Sequence, residues 1–438
     1  MNLSRKPAHF IVAVATFVSF VVPSYAQQAA PSAAARAPIK IGVLLPITGP
    51  WALASKDVQD GHALYLEKIG GTVAGRKIEL IVEDTEAKGD VAITKARKLV
   101  EKDNVDIVAG LINSAECYAV APYLAEKKVM TIVTGNCGAE GLTKDPKLRS
   151  PYIWRTTQSA GMLVYPMAEY LLKNNMRRVA LVFSAYAGGY EVVDSFARAY
   201  IEGGGTIIQE IYPALGTTDF GPFMAQIKQD ADALVTFIVG TDGLRFAQQY
   251  SEYGLKAKLP LMDVAEVMVG GPNLIQLKDA AVGVISSIHY AQDNNSPENK
   301  DFLQRFEAKY KDRLLSAEVA GGYAGMHIIT TALRAVGGNV KDTQKLHAAF
   351  KGLHITTAKG SFSFDDYQNV VEDFYIKRVE KTADGKYVYK TLYKIPNVSQ
   401  FWTWRPEDVL KFPYGKLHGK YTNINKTQLE ALIKSASN

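Results

Sequence analysis

Ile39-Lys40-Ile41-Gly42-Val43-Leu44-Leu45-Pro46-Ile47-Thr48-Gly49-Pro50-Trp51-Ala52 decides the fold of this chain. Its first seven residues form an almost unbroken apolar run, the pattern of a parallel strand covered on both faces. Pro46, Gly49 and Pro50 then interrupt the strand and a helical pattern follows, which is how a parallel α/β unit begins. Ligands of such sheets sit beyond the carboxyl ends of the strands, so the turn carrying Trp51 points to a small-molecule site.

The pattern recurs downstream. Ile78 to Val82, Val105 to Ala109, Val129 to Val133, Val179 to Phe183, Thr206 to Ile211 and Ala233 to Val239 each precede an amphipathic stretch, the mark of repeated βα winding. Helical stripes such as Ile93, Ala96, Leu99 and Val100 are accounted for by a core. The 438 residues, 47% of them hydrophobic, are too many for one core of ordinary size, so two domains are expected.

Upstream of the first strand, Arg5 and Lys6 lead into the apolar segment Phe10 to Val22 and then Pro23-Ser24-Tyr25-Ala26. This is the order of an export signal, cleaved after Ala26, and the apolar segment falls short of the roughly 20 residues of a membrane span. Residues 27–38, rich in Ala and Pro, read as a flexible leader, and the mature protein is expected to be exported. The formal net charge of +6 is spread without a basic block, which gives no footprint for nucleic acid.

The chain has two cysteines, Cys117 and Cys137, each just past the end of a predicted strand. Neighbouring parallel strands bring such ends together, and an oxidising compartment permits a disulfide; two buried free thiols are the alternative. The seven histidines are scattered without a His-Glu-x-x-His or Cys-x-x-Cys pattern, so neither a metal nor a cofactor is expected.

Several segments, in order, resemble one family. Beside the opening stretch stand Gly75-Arg76-Lys77-Ile78-Glu79-Leu80 with Glu83-Asp84, Lys98-Leu99-Val100 with Val105 to Gly110, Ile153-Trp154-Arg155-Thr156, Gly216-Thr217-Thr218-Asp219-Phe220 and Gly360-Ser361-Phe362-Ser363-Phe364-Asp365. Together they look like the leucine/isoleucine/valine-type periplasmic substrate-binding proteins of ABC transporters. The resemblance implies a type I periplasmic binding protein, an α/β fold of two Rossmann-like doubly wound lobes joined by three hinge crossovers. It implies lobe one at residues 39–157 plus 291–366 and lobe two at 158–290 plus 367–395, with 396–438 as a C-terminal extension. The aromatics of Phe401-Trp402-Thr403-Trp404 in that extension read as cover for a lobe surface, or alternatively as a partner-binding patch.

A ligand carboxylate buried between lobes must meet hydrogen-bond donors, which strand-to-helix loops supply as backbone N–H groups. Ser114, followed by Ala115, matches the family's ligand-binding serine, and an ordinary helix N-cap is its other reading. Gly135 and Asn136 are expected to offer backbone contacts. From lobe two, Tyr186 is favoured over Tyr190 as the tyrosine presented to the ligand, and the loop at Thr241 should face the cleft. Amino-acid binders of the family pair an ammonium with a buried carboxylate, for which Asp263 and Glu266 are candidates. If neither reaches the cleft, a plain organic or aromatic acid is implied, with Trp51, Tyr186 and Tyr290 as flat walls.

The implied activity is capture by domain closure, not catalysis. The protein is expected to be a monomer that delivers a small carboxylate-bearing ligand to ABC permease subunits in the inner membrane. A sensor of the same fold that feeds a receptor remains the alternative. Enzyme signatures are lacking: there is no Gly-x-Ser-x-Gly elbow and no phosphate loop, and Gly321-Gly322-Tyr323-Ala324-Gly325 does not follow a strand.

Overall fold

The computed structural model describes Met1 and residues 36–311 and 313–437, so the expected signal segment beyond Met1 and residues 27–35 lie outside the described residues. The chain opens with β1 (Ile39–Leu45) and α1 (Ala52–Lys68), then the hairpin of β2 (Thr72–Val73) and β3 (Arg76–Asp84). There follow α2 (Gly89–Arg97), β4 (Ile107–Gly110), α3 (Ser114–Glu126), β5 (Met130–Val133), α4 (Gly141–Lys144) and β6 (Ile153–Arg155). The strands form one sheet in the order β2-β3-β1-β4-β5-β6, parallel except for β2. Ile39, Ile41, Val43, Leu44 and Leu45 are all wholly buried, because helices cover both faces of a central parallel strand.

The second run is α5 (Ala160–Lys173), β7 (Arg178–Phe183), α6 (Ala187–Glu202), β8 (Thr206–Ile211), α7 (Gly221–Met224) and β9 (Ala233–Phe237). It continues through α8 (Thr241–Glu252), β10 (Leu261–Val264), α9 (Pro272–Leu277) and β11 (Ile285–Ile288). Three helices come next, α10 (Pro297–Lys309), α11 (Ala317–Ala335) and α12 (Thr343–Lys351). The chain ends in β12 (His354–Thr357), β13 (Gly360–Phe364), β14 (Val370–Lys381), β15 (Tyr387–Val398), α13 (Pro406–Leu410) and α14 (Lys426–Ser437). The second sheet runs β12-β13-β14-β11-β10-β9-β7-β8, with β15 also on β14; β7 to β11 are parallel and the later strands join as antiparallel hairpins.

The chain crosses between the lobes three times. It leaves the first sheet after β6, returns after β11, and crosses again between α12 and β14. On the return, α11 lies against α1 so closely that a Cβ on Gly61 would sit 2.2 Å from the Val319 carbonyl oxygen, and one on Gly322 would sit 2.3 Å from that of Val58. Only glycine permits that approach. At the crossings, Lys359 forms a buried ion pair with Glu372 and donates to the Thr156 carbonyl at 3.2 Å, tying two crossing strands together. Among the described residues no helix is long and apolar enough to cross a membrane.

Cys117 in α3 and Cys137 in the loop after β5 are joined as a disulfide, with Cα atoms 6.8 Å apart and a sequence separation of 20. Closing a loop of that size removes unfolded-state entropy equivalent to about 3 kcal/mol. Replacing both cysteines by serine should therefore lower unfolding stability by roughly that amount, read from urea denaturation, and reductant should destabilise the parent protein but not the variant.

The segment after β15 runs back over the lobes. Trp402 and Trp404 pack on Tyr165 of α5 with ring centroids 5.7 and 5.2 Å apart, and the Arg198 guanidinium lies 4.2 Å from the Trp404 ring. Farther on, the N–H groups of Lys416 and Leu417 and the Tyr421 hydroxyl all donate to Asp194 of α6. The segment also reaches the first lobe, where the Lys144 ammonium of α4 lies 5.2 Å from the Phe412 ring.

Candidate functional site

A cleft of about 370 Å³ opens between the carboxyl ends of the strands of both sheets. The turn after β1 and the start of α1 supply Gly49 to Ala54 and Asp57; the loops after β4, β5 and β6 supply Ile112, Asn136 and Gln158. From the other side come Tyr186, Phe237, Val239, Gly240, Thr241 and the turn Ala265 to Val267, while Ser316 and Glu318 enter at the start of α11. The lobes meet directly here. The Trp51 and Tyr186 rings face each other with centroids 6.1 Å apart at 60°, and the Pro50 carbonyl oxygen lies 2.7 Å from where a Cβ on Gly240 would be.

Of the residues singled out in the sequence, Trp51, Asn136, Tyr186, Thr241 and Glu266 line this cleft. Trp51 occupies the cap position of α1, and Thr241 is the first residue of α8. Tyr190 lies elsewhere, stacked on His418 at 3.7 Å.

The others do not line it. Ser114 is buried with its hydroxyl 3.4 Å from Glu191 Oε2, and it is not the helix cap: Asn113 caps α3 in a reciprocal box with Glu116. Ala115, one residue on, is exposed. Gly135 is packed under Leu111, and its carbonyl accepts from Thr157 Oγ1 at 2.5 Å. Asp263 is wholly buried and turned inward, where its Oδ2 accepts from the N–H groups of Met268 and Val269, each at 3.0 Å. Those bonds hold the turn in which Ala265 and Glu266 adopt φ of 63° and 54°, so the carboxylate that faces the cleft is Glu266. Tyr290 is core, its hydroxyl bonded to Asn299 Oδ1 at 2.9 Å under α10.

The walls are mainly apolar, with Leu163, Phe237, Val239, Leu244 and Val267 beside Trp51 and Tyr186. Three carboxyl groups reach the cleft. Asp57 is engaged by Arg313 and the Ser316 hydroxyl, and Glu266 by Lys377 at 2.6 Å and Ser286 Oγ at 2.9 Å. Glu318 makes no salt bridge among the described residues; it accepts from the Asn136 amide at 3.3 Å, and burial raises its carboxyl above the ordinary range. Among the described residues lining the cleft none is Lys or Arg, so a ligand anion would meet neutral donors, backbone N–H groups among them. The first turn of α1 is suited to this, having neither an acidic residue nor a side-chain cap.

Sequence reasoning passed over Asp57, Gln158, Ser316 and Glu318. Asp57 falls one helical turn after Leu53 and Ala54 on the same face of α1. Gln158 follows directly on the Ile153-Trp154-Arg155-Thr156 crossover. Ser316 caps α11 by accepting from the Val319 N–H at 3.3 Å, a Ser-Ala-Glu start that the sequence displays.

Beside the cleft, Glu191 of α6 reaches across to the first lobe. It accepts from the Tyr118 hydroxyl and from the Glu140 N–H at 3.2 Å. Burial pushes its carboxyl up to about 7, aided by the charge of Glu140 and opposed by the Tyr118 bond. The folded protein thus keeps a proton that the unfolded chain releases near pH 4.5. Stability should fall as pH rises from about 4.5 to about 7, by up to roughly 3 kcal/mol from this group, and level off above. Denaturation of Glu191→Gln across that range should show a flatter profile than the parent.

A family model described as periplasmic binding protein matches residues 38–386. The Leu/Ile/Val-binding protein homolog 6 of Brucella melitensis biotype 1 is 31% identical over 369 residues, covering 83% of this chain and 93% of that protein. An ABC transporter substrate-binding protein from Sphaerobacter thermophilus superposes with a TM-score of 0.77 at 36% identity, covering 82% of this chain and 98% of its own. A solute-binding protein of an ABC transporter from Rhodopseudomonas palustris BisB5, solved with 3,4-dihydroxybenzoic acid, superposes with a TM-score of 0.76 at 31% identity, covering 83% and 98%. Two α/β lobes around a ligand-sized cleft, three crossings between them and a family match over most of the chain lead to one conclusion: this chain belongs to the periplasmic binding protein family and has the type I fold.

Proposed function

We propose that this protein is the exported, periplasmic solute-binding component of an ABC importer, capturing an aromatic carboxylic acid by closure of its two lobes. The lobes comprise residues 39–157 plus 291–366 and 158–290 plus 367–395. The observation that carries the ligand class is the pair Trp51 and Tyr186, one ring from each lobe, facing each other over an apolar cleft. Burying one aromatic ring there, about 150 Å² of apolar surface, is worth up to about 4 kcal/mol. Asp57 and Glu266 are already neutralised by Arg313 and Lys377, which leaves them poor partners for an ammonium group. The dihydroxybenzoic acid bound by the Rhodopseudomonas palustris relative supports the same class.

No chemical step follows capture. A ligand touching both lobes stabilises the closed form, which the permease subunits of the inner membrane would recognise on a monomer. One observation favours a second reading, an amino acid: Glu318 has no salt bridge among the described residues and could meet an ammonium. A thermal-shift series with benzoate, hydroxybenzoates, leucine and valine separates the two. Aromatic acids should raise the melting temperature and the aliphatic amino acids should not; the reverse order would favour the second reading. Uptake of labelled ligand should be lost when the gene is deleted. Preserved uptake with loss of a transcriptional or chemotactic response would instead indicate a sensor.

A further inference from the structure

Several polar residues interrupt the apolar wall of the cleft, and one of them stands out. Gln158 lines the cleft and is only 1% exposed, and its buried Oε1 has no hydrogen-bond partner among the described residues. A buried carbonyl left in that state costs about 1 to 3 kcal/mol, a penalty that a ligand donor would remove. The bond from Thr157 Oγ1 to the Gly135 carbonyl ties the segment carrying Gln158 to the loop carrying Asn136. The Asn136 amide in turn donates to Glu318 Oε1, so two loops and the start of α11 converge.

The free capacity of this group is to accept. One Asn136 amide hydrogen is committed to Glu318, the Glu318 carboxyl also accepts from its own N–H and from the Ser316 side chain and keeps one lone pair of its four, and the Gln158 oxygen has both of its own. Arg313 is paired with Asp57 and Asp60 and Lys377 with Glu266, so neither cation makes a salt bridge to Glu318, although the Lys377 charge is felt there.

On the reading that the ligand is an aromatic acid, we propose that Gln158 and Glu318, with Asn136 holding Glu318 in place, form a hydrogen-bond-accepting station that selects rings bearing a hydroxyl group. The aromatic walls then set affinity for the ring, and this station sets preference among substituents. A site built to receive a hydroxyl rejects the analogue lacking it strongly, because its own acceptors are then left unpaired.

The test is calorimetric titration of the purified protein and of Gln158→Leu, Glu318→Ala and Glu318→Gln with benzoate, 3-hydroxybenzoate, 4-hydroxybenzoate and leucine. The parent should prefer one of the hydroxybenzoates to benzoate by at least tenfold. Gln158→Leu and Glu318→Ala should cut that preference below about threefold by losing affinity for the hydroxylated ring, with benzoate affinity changed less than threefold. Glu318→Gln, which keeps a carbonyl acceptor, should restore part of it. Parent protein that binds benzoate and both hydroxybenzoates equally, or variants that retain the preference, would overturn the station while leaving capture of aromatic acids intact. Leucine binding that disappears in Glu318→Gln, with no aromatic acid bound by the parent, would overturn both readings.

Discussion

Trp51→Ala is expected to weaken binding of an aromatic carboxylate by about a hundredfold, a loss of roughly 2 to 3 kcal/mol. The indole is half-buried at the cap position of α1, makes no side-chain capping bond there, and faces Tyr186 across the cleft. Its removal takes away apolar contact to the ligand and the ring-to-ring contact that joins the lobes. Because the backbone bond from the Ser55 N–H to the Trp51 carbonyl is retained, the melting temperature of the ligand-free variant should stay close to that of the parent. Trp51→Phe should recover most of the affinity. Titration calorimetry on both variants checks this, and an alanine variant within threefold of the parent would remove Trp51 from the site.

The second large effect is expected at Gly240, ahead of α8. Its φ of 64° and the 2.7 Å gap from a built Cβ to the Pro50 carbonyl oxygen mean that any side chain meets both backbone strain and the opposite lobe. Gly240→Ala should lower ligand affinity by tenfold or more, because the lobes can no longer approach at the cleft mouth. Backbone strain alone, about 1 to 3 kcal/mol, would reduce stability without this effect on affinity. Gly283→Ala separates the two: Gly283 has a φ of 88° and nothing within 4 Å of a built Cβ. Both variants should melt earlier than the parent, and only Gly240→Ala should bind weakly. Equal affinity in the two would detach closure from the Pro50 and Gly240 contact.

Much of this architecture is written locally. The apolar run at Ile39 and its Pro and Gly stops specify a strand and turn without help from elsewhere, and the same holds for the strand before Thr241. Trp51, Tyr186 and Thr241 are legible as cleft residues because each lies at the end of the loop that follows a strand. Where the structure puts a residue elsewhere, a distant partner decides. Ser114 turns to Glu191, 77 residues away, while the spacing of Asn113 and Glu116 already wrote the cap. Asp263 and Glu266 sit three residues apart, and the left-handed backbone at Ala265 and Glu266 sends one inward and the other to the cleft. No apolar period encodes that turn. Tyr290 follows β11 much as Tyr186 follows β7, yet α10 and Asn299 bury it. Gln158 and Glu318 are single polar residues whose convergence depends on the chain crossing between the lobes and returning.

Whether an aromatic acid is held between the two lobes is tested by titration calorimetry of the purified protein with 4-hydroxybenzoate at several temperatures. One ligand per chain is expected, with a dissociation constant in the micromolar range or tighter and a negative heat-capacity change from apolar burial as the cleft closes. Absence of binding heat with 4-hydroxybenzoate at every temperature, with one-to-one binding of leucine under the same conditions, would contradict it.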